Sequence, residues 1–430
     1  MPSFVPNRPL VSIITPSYNQ AKFIEETLQS VLSQDYPNVE YSVIDGGSTD
    51  GTQEILKRHG ERLTWISEKD QGQADAVNKG FRNAGGEIFG WLNSDDTYCP
   101  GAIQKVVEFF GKHPDISMVY GEAYNTDAQG NIIERHPTEE FDYQRLAETC
   151  FISQPTVFLR RHVFEEVGPL DISLHYSLDY EYWMRIGKRF LIGYLPEVLA
   201  TTRFHGGAKT VSKRKEAQEE VVMVVRRHYS LVPLRTIYFY SYMSLLEKLM
   251  PHVQGVYPNG WATSHVTIFL RGNQVSSLFL HLKGHIRNRK HPLTLRITAG
   301  GKTLERHVHA SETFSLSEGL YGDDEIQIDA KVNRDSDGSI DTHALFHDEH
   351  PFSYRLARGC NYAIRKLTIV DDMGRQRVLF SKRVTFVSLV ALPFLIVRNT
   401  LRINGRLCIR EQFKSLFNLC RAVFTSRQIS

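Results

Sequence analysis

The sequence predicts a mainly parallel α/β sheet in its first half and an all-β sandwich in its second, and three observations carry that reading. Between about Leu10 and Tyr120, short apolar β-rich runs alternate with helical periods across polar or Gly-rich turns, the pattern of parallel strands joined by crossover helices. Polar clusters follow four successive runs, where the carboxyl ends of parallel strands meet a ligand. From Trp261 to about Phe380 the period changes to strict alternation in short, turn-bounded segments, which suits two packed antiparallel sheets.

Taken in order, strands are expected at Leu10–Thr15, Val39–Ile44, Leu63–Ser67, Ile88–Leu92 and Ile116–Tyr120, with helices at Lys22–Ser33, Thr52–His59, Gln73–Ala84 and Gly101–His113. A short strand Val157–Arg160, a helix from Leu178 to about Lys188 and a closing amphipathic helix Lys213–Tyr229 complete the first domain. Leu234–Met250 reads as a helical linker ending at Pro251. The alternating runs are His265–Leu270, Ser277–Leu282, Leu293–Thr298, Glu325–Asp329 and Ile364–Val370. The domain bounds that follow are 1–230, a linker 231–260, a sandwich 261–380 and a tail 381–430.

At 430 residues, 41% hydrophobic and 23% charged, the chain is an ordinary globular one, with room for two or three domains. Its net charge of +3 is uneven: residues 381–430 carry nine Lys or Arg against Glu411, a net of +8, leaving −5 for the rest. An acidic body with a basic tail argues against nucleic acid as a partner and leaves anionic lipid open. In the tail, Ile409, Phe413, Leu416, Phe417, Cys420, Val423 and Phe424 share one helical face beside Arg410, Lys414 and Arg421. That stripe suits an interfacial helix on a membrane and equally a helix docked on the sandwich or on a second subunit of a homo-oligomer. The longest apolar run, Val384–Val397, contains Pro393 and is shorter than the ~20 residues of a spanning helix. The five cysteines are odd in number and lack a CxxC pair, and Met1–Arg8 has no apolar core, so a reducing, cytoplasmic setting without a signal peptide is expected. His343, His347 and His350 lie in a charged, loop-like stretch that reads as solvated surface.

The chemistry concentrates in the strand ends. Thr15-Pro16-Ser17-Tyr18-Asn19 is a rigid turn presenting a ring and an amide, and Asp45-Gly46-Gly47-Ser48 leaves the second strand where glycines allow close backbone approach to a ligand. Asp45 would accept the N3 proton of a pyrimidine while Tyr18 covers the ring; ordinary turn chemistry explains the same residues. Gly72 admits the chain to a helix whose first turn carries Asp75, a start suited to a diphosphate or a sugar. Trp91-Leu92-Asn93-Ser94-Asp95-Asp96 ends an apolar run in oxygen ligands without nearby Cys or His, which suits Mg²⁺ or Mn²⁺ shared with substrate phosphates. A turn with capping acids before the helix at Gly101 is the competing reading.

The set TPSYNQ, DGGSTDGT, EKDQGQADAVNKG and WLNSDD, in this order, resembles family 2 of the glycosyltransferases, inverting enzymes of the GT-A fold, over roughly Leu10–Tyr229. The resemblance implies a nucleotide-sugar donor, UDP-linked by family frequency, held by Pro16, Tyr18, Asn19, Asp45, Gly72, Asp75, Asn78, Asn93 and Ser94. It implies a metal at Asp95, supported by Asp96 and by His205, with Lys209 near phosphate. It makes Asp179, in Leu178-Asp179-Tyr180-Glu181, the base that deprotonates an acceptor hydroxyl, although a helix N-cap explains Asp179 too. Glu181 reads as a solvated helix acid and Trp183 as core. Asn93 stands where the first acid of a DxD motif is expected, and Gly46 where a second acid often follows Asp45. The implied setting is surface-polysaccharide synthesis on a glycan or lipid-linked acceptor at the inner face of the cytoplasmic membrane. The rival from another class is a non-catalytic glycan-binding or scaffold protein with a degenerate transferase domain.

Overall fold

The computed structural model describes residues 8–204 and 214–249, nine strands between 253 and 381, and a helix at 394–404. The chain divides into two compact units, Met1–Thr236 and Ile237–Ser430, so the first ends inside a helix that the sequence reads as part of a linker.

The strands of the first unit are β1 (Val11–Ser17), β2 (Val39–Asp45), β3 (Thr64–Ser67), β4 (Ile88–Trp91), β5 (Thr97–Tyr98), β6 (Met118–Thr126), β7 (Ile132–Arg135), β8 (Phe158–Arg160) and β9 (Ile192–Arg203). They form one sheet in the order β3-β2-β1-β4-β8-β6-β9-β5, with β7 paired to β6. The stretch β3-β2-β1-β4 is parallel throughout, β8 runs against both its neighbours, and β6 and β9 are again parallel.

The connecting helices are α1 (Ile24–Leu32), α2 (Thr52–Arg58), α3 (Gln73–Asn83), α4 (Ala102–Lys112), α5 (Tyr143–Leu146), α6 (Arg161–Val167), α7 (Leu178–Gly187), α8 (Arg214–His228) and α9 (Leu234–Leu249), the last crossing into the second unit. Every residue of β1 is buried, as a central parallel strand covered on both faces requires. Its alternate side chains serve the two layers. Ile13 joins Ile24, Leu28, Leu56, Ile103, Val106 and Phe110 in the core under α1, α2 and α4. Ile14 points the other way, against Gly80 of α3. On that face the rings of Phe81 and Phe89 stack at 5.1 Å, with Phe164 of α6 edge-on to Phe81 at 5.4 Å.

Helix and strand ends fall within a residue or two of the predicted ones through α4. Beyond it, the twelve-residue β9 is not predicted, because Gly193, Pro196 and Glu197 interrupt its alternation. Its pairing with β6 shifts register around Glu122, which accommodates the interruption.

In the second unit the described strands are β10 (Val253–Val256), β11 (Trp261–Phe269), β12 (Leu278–Ile286), β13 (Leu293–Ala299), β14 (Lys302–Val308), β15 (Thr313–Leu320), β16 (Glu325–Val332), β17 (Tyr362–Asp371) and β18 (Gln376–Ser381); seven pair antiparallel in the order β14-β13-β16-β11-β17-β12-β15, with β10 on β11 and β18 on β17. β10, in the stretch read as linker, belongs to this sheet through β11. β11 pairs with β16 along His265–Phe269 and with β17 at Trp261 and Ala262. Helix α10 (394–404) starts immediately after Pro393, and its Asn399 and Arg402 donate to Ser241 Oγ (2.9 Å) and Tyr240 Oη (2.7 Å). Among the described residues no helix is long and apolar enough to cross a membrane. The histidines at 343, 347 and 350 and the amphipathic stripe 409–424 lie outside the described residues.

The closest helix–strand approach gives a stability test. A Cβ at Gly80 would collide with the Ile14 side chain, so Gly80→Ala is expected to destabilise the protein by about 1–3 kcal/mol. The urea unfolding midpoint measures it.

Candidate active site

Parallel pairing in register brings four strand ends to one edge: Ser17 lies beside Asp45, Asp45 beside Ser67, and Ile14 beside Trp91. The loops that leave this edge are stitched together. Asn19, left-handed at φ 53°, donates its N–H to Ser48 Oγ (2.7 Å), and its Oδ1 accepts the Thr49 N–H (2.9 Å). Gly46 N–H reaches the Ser17 carbonyl (2.8 Å), and Glu68 N–H the Asp45 carbonyl (3.0 Å). Tyr18 stands out from this framework, 63% exposed.

The residues that the sequence assigns to the donor make the following contacts within the protein. Asp45 is fully buried, and its carboxylate accepts from Ser48 N–H (2.9 Å), Gly47 N–H (3.2 Å), Ser48 Oγ and Ser67 Oγ (2.6 Å). These four bonds close the β2 turn and bind it to β3, three of them at Oδ2 and one at Oδ1. Asn78 is 1% exposed and exchanges both amide atoms with the backbone of Leu170, at 2.9 and 2.8 Å. Asn93 accepts from Gln73 Nε2 (2.7 Å) and Trp91 Nε1 (2.9 Å) and donates to Gln154 Oε1 (2.9 Å) and Asp96 Oδ2 (3.2 Å). Its amide is a four-way junction. Pro16 is buried within β1, and Ser94 is buried at 4%. Gly72, at φ 112°, does admit the chain to α3, and Asp75 in that first turn accepts the Gln71 N–H (3.1 Å) and pairs with Lys79 (3.4 Å).

The acidic turn after β4 is built on Asp96. Its buried carboxylate accepts the backbone N–H of Arg203 (2.9 Å) at Oδ1 and the Asn93 amide at Oδ2. Burial first, and then the charge of Asp95 beside it, holds this carboxyl well above its usual range. Sequence reading gives no part to Arg203, which turns out to secure the turn. Its Nε donates to the Asp95 carbonyl (3.0 Å), Nη1 to the Ala128 carbonyl (3.1 Å) and Nη2 to Glu26, and its guanidinium lies over the Phe23 ring at 5.1 Å. Gln154, in the loop ahead of β8, donates to the Trp91 carbonyl (2.6 Å) beyond its bond to Asn93. The one sequence feature that could have drawn attention to Arg203 is its place two residues before the candidate His205.

Among the described residues no group of three His, Cys, Asp or Glu gathers as a metal cage. His205 and Lys209 lie outside the described residues. The donor set that remains, two adjacent carboxylates repelling one another on a strand end, fits a hard divalent cation that completes its shell with phosphate oxygens and water. Of the two, Asp95 is half-buried and Asp96 is buried.

Asp179 sits in the first turn of α7, two residues past the N-cap Ser177, so the capping explanation does not apply to it. Burial, with a smaller push from the charge of Glu220, raises its carboxyl to about 6 against a bond from the Tyr180 N–H (2.8 Å). Glu220 on α8 accepts three successive backbone N–H groups just ahead of it, His175 (2.8 Å), Tyr176 (2.7 Å) and Ser177 (2.7 Å). Loop 150–156 spans the two acidic centres: Gln154 joins the Asn93 junction, and the Cys150 thiol feels the charge of Asp179. Glu181, read as a solvated acid, is instead buried at 4% and paired with Arg185 (2.8 Å) and His228 (3.0 Å). Trp183 is core, at 1% exposure.

The first unit is an α/β fold with an acidic turn at one parallel strand end and a half-buried carboxylate in the first turn of α7, and comparison with known sequences gives its class. The family model "Glycosyl transferase family 2" matches residues 12–168. The "Putative teichuronic acid biosynthesis glycosyltransferase TuaG" of Bacillus subtilis is 31% identical over 221 residues, 49% of this chain and 86% of that protein. An uncharacterized glycosyltransferase of Rickettsia prowazekii is 29% identical over 219 residues, 49% of this chain and 69% of that one. Among solved structures, S. aureus TarS 1–349 in complex with UDP-GlcNAc is similar at 18% identity and TM-score 0.43, over 55% of this chain and 72% of that one. The chain belongs to glycosyl transferase family 2, and its first unit has the mixed, mostly parallel GT-A-like α/β sheet.

Glu220→Gln removes a charge that raises the Asp179 carboxyl while leaving an oxygen to accept backbone N–H groups. The acid limb of the transfer pH–rate profile is expected to move to lower pH by roughly a few tenths of a unit, and an unmoved limb would show that Glu220 only holds the loop.

Proposed function

We propose that this chain is an inverting, divalent-metal-dependent glycosyltransferase that moves a sugar from a UDP-sugar to a hydroxyl of a glycan or lipid-linked acceptor. The observation that carries the proposal is the pairing of two unlike acidic centres within the first unit. One is the doublet Asp95–Asp96, anchored by Arg203; the other is Asp179, whose carboxyl burial pushes up to about 6.

Asp95 would hold Mg²⁺ or Mn²⁺, with Asp96 fixing the turn behind it. Bound there, the cation supplies positive charge against the diphosphate that departs as the glycosidic bond breaks. Asp179 does the work that the chain itself must do. A carboxylate with a pKa near 6 is ionised at neutral pH yet more basic than an ordinary aspartate, so it is suited to take the acceptor proton as the hydroxyl attacks the sugar's anomeric carbon. A single base serves a single displacement, and a single displacement inverts the anomeric centre. Loop 150–156, in touch with both centres, is the natural acceptor-side wall.

The relatives' names, teichuronic acid biosynthesis for one and chondroitin synthase for another, support a polysaccharide product. The net +8 of residues 381–430 supports work at an anionic membrane face on the cytoplasmic side, each basic group contributing on the order of 1 kcal/mol at such a surface. The second unit is then an accessory module, for glycan binding or for pairing two copies.

Purified protein should hydrolyse a UDP-sugar slowly in the presence of Mn²⁺, and Asp95→Ala should lower that rate by about 100-fold or more; a rate indifferent to both metal and Asp95 would leave a glycan-binding scaffold as the better account. Asp179→Asn should abolish transfer while thermal stabilisation by UDP and Mn²⁺ persists. Its stability should also change with pH. A carboxyl raised on folding favours the folded state below its unfolded pKa of 3.8 and loses that contribution as pH rises through about 6. Asp179→Asn is therefore expected to melt higher than wild type at pH 8, with the gain gone below about pH 4.

A further inference from the structure

Helix α10 of the second unit buries polar side chains and exposes apolar ones. Its buried positions are Ile396, Asn399, Thr400 and Ile403, the i, i+3, i+4, i+7 face of a helix. The two polar residues on that face are satisfied. Thr400 Oγ1 donates to the Ile396 carbonyl (2.8 Å), and Asn399 Nδ2 donates to Ser241 Oγ (2.9 Å), which in turn donates to the Ile237 carbonyl of α9 (2.7 Å). An amide and two hydroxyls thus lie where a helix in water places leucines.

The opposite face carries Phe394, Arg398, Leu401 and Arg402, at i, i+4, i+7 and i+8, and all four are exposed. Phe394 is 71% exposed, and no large hydrophobic side chain among the described residues is more so. Leu401, one face-repeat on, is exposed at 36%. Arg402 is held in place, its Nη2 on Tyr240 Oη (2.7 Å) and its guanidinium 5.6 Å from that ring. The stretch 394–404 contains two arginines and no acid.

We propose that this face of α10 is the surface by which the protein rests on an anionic lipid bilayer, Phe394 and Leu401 entering the headgroup region and Arg398 and Arg402 meeting the lipid phosphates. Inward polarity with outward apolar and basic side chains is the arrangement that an interfacial helix needs. A second copy of the chain suits the face poorly: a two-fold contact would set Arg398 and Arg402 against their own images with no carboxylate on the helix to answer them. The inference deepens the membrane-side part of the function proposed above, and it replaces overall charge with a named contact. Its test reads binding alone, so a chain that binds vesicles without hydrolysing a UDP-sugar keeps this surface and loses only the chemistry.

The full chain is sedimented with vesicles of phosphatidylglycerol mixed into phosphatidylcholine, and with phosphatidylcholine alone. Wild type should bind the first and only weakly the second. Phe394→Glu combined with Leu401→Glu should lower the partition coefficient by about tenfold or more, and Arg398→Glu by about fivefold or more, both with the wild-type melting temperature. Phe394→Trp should keep the binding, with a blue shift of emission on the anionic vesicles that wild type does not show; this variant decides the matter if the glutamates unsettle the helix. A double variant that melts and binds like wild type, or an added Trp whose emission does not move, overturns the proposal and leaves vesicle binding to other parts of the chain. A wild-type chain that ignores anionic vesicles overturns it as well, and a dimer mass in light scattering that Phe394→Glu abolishes would then name a second copy as the occupant.

Discussion

The burial of Asp96 is the constraint on which the rest of the site depends. A carboxylate withdrawn from water at the end of a strand is tolerated only when donors surround it. Here they come from far apart in the chain: the Arg203 backbone at the end of β9 and the Asn93 amide beside β4. Because Arg203 also binds the Asp95 and Ala128 carbonyls and Glu26, satisfying one buried acid locks β4, β9 and α1 together. The adjacent acid is thereby presented on a turn that cannot drift. The like charge of Asp95 beside Asp96 leaves the doublet with an electrostatic cost that a cation would relieve.

The rim divides its polar side chains into two groups by what they bond. Asn78 and Asn93 bond neighbouring backbone and side chains at both amide atoms, and Asp45 and Asn19 bond the loops beside them, which fixes those loops. Asp70 and Asp179 are held from one side only, by the Gly72 and Tyr180 N–H groups. A side chain held at one atom and open at the other is oriented without being consumed, which is the state a recognition or proton-transfer group needs. Glu220 extends the same economy to the helix bearing Asp179, since one carboxylate collects three N–H groups that the start of α7 would otherwise leave to solvent.

Outside the catalytic unit the physics is simpler. Alternating residues build an antiparallel sheet in the second unit, and an antiparallel sheet carries no chemistry of its own. The charge that follows it, in residues 381–430, reverses the sign of the rest of the chain.

The sequence by itself determined the alternation of strands and helices from β1 to α4 and the parallel order of their ends. Periodicity and turn residues are local properties, and here every local preference agreed with the fold. Tertiary structure alone decided which polar side chains are spent and which are open. Whether Asp45 meets a ligand depends on Ser67, twenty-two residues away, and whether Asn93 does depends on Gln73 and Gln154. Glycine at 46 reads in one dimension as a missing acid; only the fold shows that the Asp70 carboxylate, from the loop after β3, lies where a Cβ at position 46 would point. Hydrogen-bond capacity is finite, and contacts distant in sequence are what use it up.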